Sequence, residues 1–323
     1  MQGIRLCQGQ WWVSDTLEVA TPGPDETLVS VRFAGICGTD LALAAGYYAF
    51  DGIPGHEFVG VAETGPLQGR RVVADINLSC GRCDVCLSGQ TKHCPSRQVL
   101  GIKQAAGVFA EQVCIPTANL FEVPDGLSDE LAVLAEPVAA ALEVLAEMPK
   151  PIPESATVIG AGRLGLLAAH VLAAAGCKVK LLVRNQTRAL HVQNRDIEIV
   201  THIKPSSESW VVDCSGSVSG LNAALAALSP RGTLVLKSTL QEAVGIDFSP
   251  VMVKELTVQG SRCGKLDQAL IWLASGHLTE PEMVSFGFSD IERALAAALD
   301  PRFFKVLLRP NRVKAKPLPK RWG

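Results

Sequence analysis

Hydrophobic positions fall into three textures along this chain. In the first third they alternate or cluster in short runs of β-formers, such as Leu28-Val-Ser-Val-Arg-Phe33 and Gly69-Arg-Arg-Val-Val-Ala-Asp75, set between glycines and prolines. That pattern predicts short strands and turns. Positions 127–148 change to Ala, Leu and Glu with helical recurrence. Pro149, Pro151 and Pro153 then interrupt the chain and read as a domain boundary. Beyond them a strand, Ala156-Thr-Val-Ile159, runs into Gly160-Ala-Gly-Arg-Leu-Gly165 and a helix to about position 175. Further strands are predicted over 177–183, 210–213 and 233–237, with a helix over 218–228. Strands alternating with helices imply a parallel sheet covered on both faces. A helix over 266–275 follows, and the run 304–308 predicts a strand that packs back on the N-terminal region. The expected class is α/β: a β-rich domain built from 1–150 and 265–323, interrupted by a doubly wound domain over 151–264.

Composition narrows the function more than the fold. The chain has 323 residues, 48% of them hydrophobic, and a formal net charge of −2. This is enough chain for two domains with a sizeable core. The one basic run is the short tail from Lys314 to Arg321, read as solvated, so nucleic acid is not an expected partner. The start lacks the long apolar stretch of a signal peptide, and charged residues interrupt every apolar run long enough to cross a membrane. Cys7, Cys37, Cys114, Cys177, Cys214 and Cys263 are scattered through apolar contexts, which suits free thiols in a reducing compartment. The expected location is the cytoplasm.

The other four cysteines are not scattered. Cys80, Cys83, Cys86 and Cys94 form C-x2-C-x2-C-x7-C, and Gly81 and Gly89 let the chain fold back on itself. Four thiolates suit one tetrahedral Zn(II), and with every position taken the site is structural. His93 neighbours Cys94 and is read as a solvated loop residue.

Gly160-x-Gly162-x-x-Gly165 would be weak evidence alone. Lying between a strand and a helix, it reads as a Rossmann dinucleotide fingerprint. The first glycine permits the turn, the second admits a pyrophosphate, and the third lets helix and strand pack closely. Leu164 lies within this turn and is counted with the cofactor-binding positions. An acidic residue after the next strand would bind the ribose hydroxyls of NAD. The chain instead has Leu181-Leu-Val-Arg-Asn-Gln-Thr-Arg188, and Arg184 and Arg188 suit a 2′-phosphate. NADP is expected over NAD.

Separated pieces suggest a second metal site: Cys37 in Gly35-Ile-Cys-Gly-Thr-Asp40, His56 and Glu57 in Gly55-His-Glu57, and Glu136 in Ala135-Glu-Pro137. Taken singly, each has an ordinary structural explanation. Taken in order, with the four-cysteine lobe, the glycine fingerprint and Lys305-Val-Leu-Leu308, they resemble the zinc-containing medium-chain dehydrogenase/reductase (alcohol dehydrogenase-like) family over nearly the whole chain. Glu136-Pro137 is most similar to the polyol and threonine dehydrogenase branch, where a glutamate replaces a third, cysteine ligand.

The resemblance implies a GroES-like catalytic domain beside the Rossmann domain, and two zincs per chain. It implies a zinc that acts as Lewis acid on the substrate oxygen and a hydride passed between an alcohol (a polyol, sugar or other primary or secondary alcohol) and NAD(P). Cys37 and His56 become zinc ligands, with Glu57 or Glu136 completing the set. Thr39 becomes the hydroxyl that relays the substrate proton, Asp40 the group that orients His56, and Lys305 a contact to cofactor phosphates. The family's usual homodimer or homotetramer is expected, with a small-molecule alcohol or aldehyde as substrate and no membrane partner. One departure stands out: Ala42 occupies the position where many members carry a histidine that passes the proton to solvent. An NADPH-dependent aldehyde reductase, or a catalytically weak nucleotide-binding sensor or scaffold, is the alternative reading. Of the remaining aromatic residues, Trp11, Trp12, Tyr47, Tyr48 and Phe50 are expected in the core, with a place lining the substrate cleft as the alternative for Tyr47 to Phe50, which lie between two zinc-ligand segments. His170, His191, His202 and His277 receive no role.

Overall fold

In the computed structural model, residues 1–18, 21–46, 49–149, 151–239 and 245–310 are described. Tyr47, Tyr48 and the basic tail lie outside them. The N-terminal region is strand-rich, as its patterning requires. The strand Glu26–Gly35 alternates buried and half-exposed residues along most of its length. It pairs antiparallel with Gln112–Pro116 and with Glu57–Ala62. It also pairs antiparallel with Lys305–Arg309, placing Leu307 opposite Gly35 and Leu308 opposite Ala34. The late strand is thus sewn into the first domain, as the apolar run 304–308 implied.

The second sheet has six strands in the order Ile197–Val200, Lys178–Leu182, Ser155–Ile159, Glu208–Asp213, Leu228–Leu236, Thr257–Gly260, all parallel. Counted in chain order this is 3-2-1-4-5-6, a doubly wound sheet. Ser155–Ile159 is buried at every position after its first, because helices cover both of its faces. The order reverses between Ser155–Ile159 and Glu208–Asp213, and crevices for ligands open at the carboxyl ends of strands at such a point.

The helical stretch 127–148 is two helices, Asp129–Ala132 and Ala135–Ala146. Pro137 explains the restart. It has no N–H to give Val133, so a continuous helix would lose a bond there, whereas in the first turn the missing donor costs nothing. Ala135–Ala146 and Leu266–Ala274 share one core with Arg163–Ala174 and the parallel sheet. That packing unit therefore extends beyond the span 151–264 at both ends. A separate core lies under the antiparallel sheet, around Val29, Phe58, Phe109 and Val306. Trp12 is 40% exposed, not core, because it stands on the outer face of the edge hairpin Gly3–Cys7 and Gln10–Ser14. Among the described residues no helix is long and apolar enough to cross a membrane.

Candidate active site and metal centres

Cys37 follows the strand Glu26–Gly35 and caps the helix Gly38–Ala44. Asp40, in that helix's first turn, is fully buried and accepts a hydrogen bond from the Cys37 N–H through Oδ2 at 2.8 Å. Its other oxygen, Oδ1, lies 3.5 Å from His56 Nδ1. His56 is presented by a tight turn. Gly55 has φ +94°, and a Cβ there would stand 2.3 Å from the ring of Phe109. Burial pushes the His56 imidazole down, but the Asp40 carboxylate and Cys37 outweigh it and hold the ring well above the usual histidine range. Glu57 opens the strand Glu57–Ala62 and is almost completely buried.

One ligand atom each from Cys37, His56 and Glu57 lies within 4.8 Å of the others. A thiol, an imidazole and a carboxylate held this closely fit a zinc that keeps its fourth position for another ligand. The Cys37 Sγ is 3.8 Å from the Thr39 hydroxyl, and Thr39 lines a cleft of about 1320 Å³. Phe50 also lines it, while Ala42 is buried.

Glu136 stands at the edge of this cluster rather than inside it. It sits in the first turn of Ala135–Ala146. Burial pushes its carboxyl up to about 7, an effect moderated by His56 and Lys305 and reinforced by Glu57 and Asp75. Lys305 is not at the phosphate-binding turn. It is 2% exposed, and its ammonium pairs with the Glu57 carboxylate. The cause is the pairing of Lys305–Arg309 with Glu26–Gly35, which brings the lysine against Gly35. A Cβ on Gly35 would stand 2.6 Å from Lys305 Cε, so the glycine makes room for the ion pair.

The four cysteines converge. Their Sγ separations are 3.5 Å (Cys83–Cys86), 3.6 Å (Cys80–Cys94) and 3.9 Å (Cys80–Cys86 and Cys83–Cys94). A tetrahedron with arms of ~2.3 Å has edges of about 3.8 Å, so the quartet fits a four-thiolate zinc. Gly81 and Gly89 take φ +69° and +80°, the left-handed turns that fold the lobe. Backbone hydrogen bonds from Arg82 and Cys83 pull the Cys80 thiol down to about 6, while burial pushes Cys86 up to about 11. His93 is exposed. Lys92 ties the lobe to the rest of the molecule: its ammonium pairs with Glu143 on Ala135–Ala146 and reaches the Cys263 carbonyl at 3.4 Å.

At the nucleotide turn Gly160 has φ +102°, and a Cβ on Gly165 would lie 1.8 Å from Gly160 O. Gly162 caps Arg163–Ala174 and has open space where a Cβ would go. This turn can admit a pyrophosphate to a helix N-terminus. The Leu164 side chain packs on the core, which leaves only its backbone for the turn. Arg163 anchors the turn by donating to Phe304 O at 2.8 Å and Ala298 O at 2.6 Å.

Arg184 and Arg188 do not come together. Arg184 is exposed beside Ser219, at 3.4 Å. Arg188 lies on the 3-10 turn Gln186–His191, where burial and Arg163 lower its pKa and Asp300 opposes them. Sequence reasoning also missed Asp213, whose oxygens accept from Ser215 N at 3.0 Å and Ser238 Oγ at 3.1 Å. Its signal was its place at the carboxyl end of the strand beside the reversal. His170 is a satisfied core residue: Nδ1 meets Leu166 O at 2.8 Å, and Nε2 accepts from Gln193 N at 3.1 Å.

Comparison with known proteins agrees with this arrangement. Residues 23–125 match the alcohol dehydrogenase GroES-like domain, and residues 164–275 match the zinc-binding dehydrogenase family. An L-threonine 3-dehydrogenase of Xanthomonas oryzae pv. oryzae is 30% identical over 275 residues, 76% of this chain and 79% of that protein. The one from Stenotrophomonas maltophilia is 29% identical over 278 residues, 77% of this chain and 80% of that protein. A putative zinc-binding dehydrogenase from Sinorhizobium meliloti, solved with NADP, superposes with TM-score 0.86 at 26% identity, covering 96% of this chain and 99% of the other. An alcohol dehydrogenase from E. coli CFT073, solved with NADH, superposes with TM-score 0.84 at 27% identity over the same shares. With two cysteine-containing metal groups and a dinucleotide turn on this fold, the chain belongs to the zinc-containing medium-chain dehydrogenase/reductase, or alcohol dehydrogenase-like, family of oxidoreductases.

Proposed function

We propose that the protein transfers a hydride between an alcohol and NAD(P), with NADP favoured. The observation that carries this reading is the compact Cys37, His56 and Glu57 group beside Thr39 at the cleft. Glu57 serves as the third zinc ligand in this reading, with Glu136 as the alternative. When bound, zinc supplies Lewis acidity at the substrate oxygen and the nicotinamide supplies the hydride site. The chain's own residues do the rest. The Thr39 hydroxyl accepts the substrate proton, Asp40 orients His56, and Lys305 balances Glu57. With alanine at position 42, the proton leaves Thr39 through water or the cofactor ribose rather than an imidazole. L-threonine, the substrate in the relatives' name, belongs in the first panel beside polyols, sugars and aromatic alcohols.

The NADP preference rests on the exposed Arg184 beside Ser219 and on the lack of a carboxylate from Leu181 to Arg188. A homo-oligomer is supported by the sheet's edge strand Thr257–Gly260 and by exposed Phe248, Met252 and Val253, which cap and end the short helix Ser249–Val253 before it. A cytoplasmic location is supported by the cysteines outside the two metal groups, Cys7, Cys114, Cys177, Cys214 and Cys263, which are free thiols.

The test combines metal analysis with turnover. About two zincs per chain are expected, one removable with loss of activity. A protein with a single zinc and no activity on any alcohol or aldehyde sinks the proposal. NADPH should bind more tightly than NADH, and Arg184→Ala should erase the difference. Equal affinities in wild type would refute the preference.

A further inference from the structure

The strand Leu228–Leu236 is buried at Leu234 and Val235, yet the residue that follows it is a lysine, Lys237. Its backbone N–H donates to Asp213 O at 2.9 Å, which fixes it to the end of the neighbouring strand. Its ammonium donates to Ser261 Oγ at 3.2 Å and to the Arg262 carbonyl. Among the described residues no carboxylate pairs with it. Burial pushes the ammonium down, against Cys214, Cys263, Glu136 and Glu143. Of these, Glu143 is already taken by Lys92. Burial also pushes the Cys214 thiol up to about 12, so it is neutral and offsets nothing. A half-buried cation held only by a hydroxyl and a carbonyl pays a desolvation cost that a neutral residue would avoid, which points to a functional use.

The fold says which part of a dinucleotide that charge would meet. The diphosphate belongs at the turn after Ser155–Ile159, and the adenosine side reaches the residues after Lys178–Leu182. The other half must extend across the reversal, over the carboxyl ends of Glu208–Asp213, Leu228–Leu236 and Thr257–Gly260. These ends also face the metal group. Thr239 and Arg262, which follow two of the three strands, line the same cleft as Thr39. Lys237 stands two residues before Thr239 and is bonded to Arg262 O. It lies within electrostatic reach of Glu136, and Glu136 within reach of His56. An oxidised nicotinamide is a pyridinium with a full positive charge, whereas the ring that has gained a hydride is neutral. A fixed cation beside it therefore opposes one redox form only. Two unit charges about 10 Å apart at an effective dielectric of about 20 shift an equilibrium by roughly tenfold.

We propose that Lys237 sets the redox-state preference of cofactor binding, its ammonium weakening the pyridinium form and leaving the dihydronicotinamide form untouched. The inference rests on the dehydrogenase reading and assigns Lys237 a role of charge rather than of shape.

The experiment uses zinc-loaded protein and equilibrium binding. NADPH is followed by its fluorescence and NADP+ by competition, or NADH and NAD+ if that pair binds more tightly. The control is 2′-phospho-ADP-ribose (ADP-ribose for the second pair), which lacks the nicotinamide. Lys237→Met should bind the oxidised form about tenfold more tightly than wild type does, with the reduced form and the control within about twofold. Lys237→Arg, which keeps the charge, should keep the wild-type ratio of the two forms. A ratio unchanged in Lys237→Met overturns the proposal. So does an equal loss of all three ligands, which would make Lys237 a structural tie to Ser261 and Arg262. If Lys237→Met does not fold, Lys237→Gln, which can still donate to the Arg262 carbonyl, is read in the same way. A wild type that binds neither redox form sinks the dehydrogenase reading together with this one, whereas an unchanged ratio sinks this one alone.

Discussion

Replacing Asp40 with asparagine separates two jobs done by one buried side chain. Oδ2 accepts the Cys37 N–H at 2.8 Å, and an asparagine oxygen can take that bond over. Oδ1 stands 3.5 Å from His56 Nδ1, and there asparagine presents an N–H instead. With Nδ1 turned toward Asp40, the ring offers a metal its other nitrogen, so Nδ1 must carry the proton. Two donors would then face each other where a carboxylate faced one. Hydrogen bonds to charged groups contribute about 1.5–3 kcal/mol, and a 3.5 Å contact belongs at the lower end. Loss of the attraction plus the new repulsion predicts zinc affinity weakened by about 10–100-fold, which is roughly 1.4–2.7 kcal/mol. The metal-free fold should also lose stability below the raised His56 pKa, where the carboxylate favours the charged ring, but the bond to Cys37 N–H survives. Asp40→Ala breaks that bond as well and should cost about 1–2 kcal/mol of fold stability in addition. A competition titration against a chromophoric chelator resolves the two zinc sites, and a denaturant melt of metal-free protein reports the fold. Wild-type affinity at the weaker site in Asp40→Asn, or equal weakening at both sites, would refute the reasoning.

Three further outcomes follow from the geometry. Gly165→Ala puts a Cβ 1.8 Å from Gly160 O, which forces a retreat of at least about 1.2 Å. It should cost about 1–3 kcal/mol of stability and most of the cofactor affinity, read by melting and by NADPH fluorescence; unchanged binding would contradict the close-packing role. Cys86→Ser should remove one zinc equivalent and destabilise the fold while the zinc of Cys37, His56 and Glu57 stays; a variant with full zinc and normal stability would refute the four-thiolate site. Burial pushes the Glu208 carboxyl up, but hydrogen bonds from Lys180, Thr157 and Ser207 outweigh it and hold the group below its ordinary value. The stability it adds, about 1–2 kcal/mol, is therefore complete above the ordinary glutamate range and fades as pH falls through the lowered value. The gap between wild type and Glu208→Gln should shrink in acid melts, and a gap independent of pH would refute the assignment.

What the sequence revealed was local. The cysteine quartet and the glycine turn are each contained in a few residues, so spacing alone reports their geometry. Cys37, His56 and Glu57 are individually mute and became legible only as an ordered set resembling a family. Lys305 was misplaced because its neighbours are fixed by strand pairing across most of the chain, with Leu307 opposite Gly35. Arg184 and Arg188 are close in sequence, but only Arg188 lies on the 3-10 turn Gln186–His191, whereas Arg184 precedes it and faces Ser219. Pro137 was visible as a residue, yet its consequence, two helices where the pattern suggested one, depends on where the second helix chooses to begin.

The pairing of Lys305 with Glu57 also sets an order of assembly. The three side chains able to share the metal are synthesised within the first fifth of the chain, but the ammonium that balances Glu57 arrives near its end. Until then the nascent chain holds a carboxylate beside a thiol and an imidazole with no fixed cation to offset it. A protein released early would present a ligand set that is whole in composition but electrically unfinished. The nucleotide turn waits as well, because Arg163 anchors it on the carbonyls of Ala298 and Phe304 although its sheet is complete by Gly260. The balanced metal centre and the anchored nucleotide turn should therefore be completed together, late in synthesis, and fragments lacking the last strand should handle both zinc and nucleotide poorly.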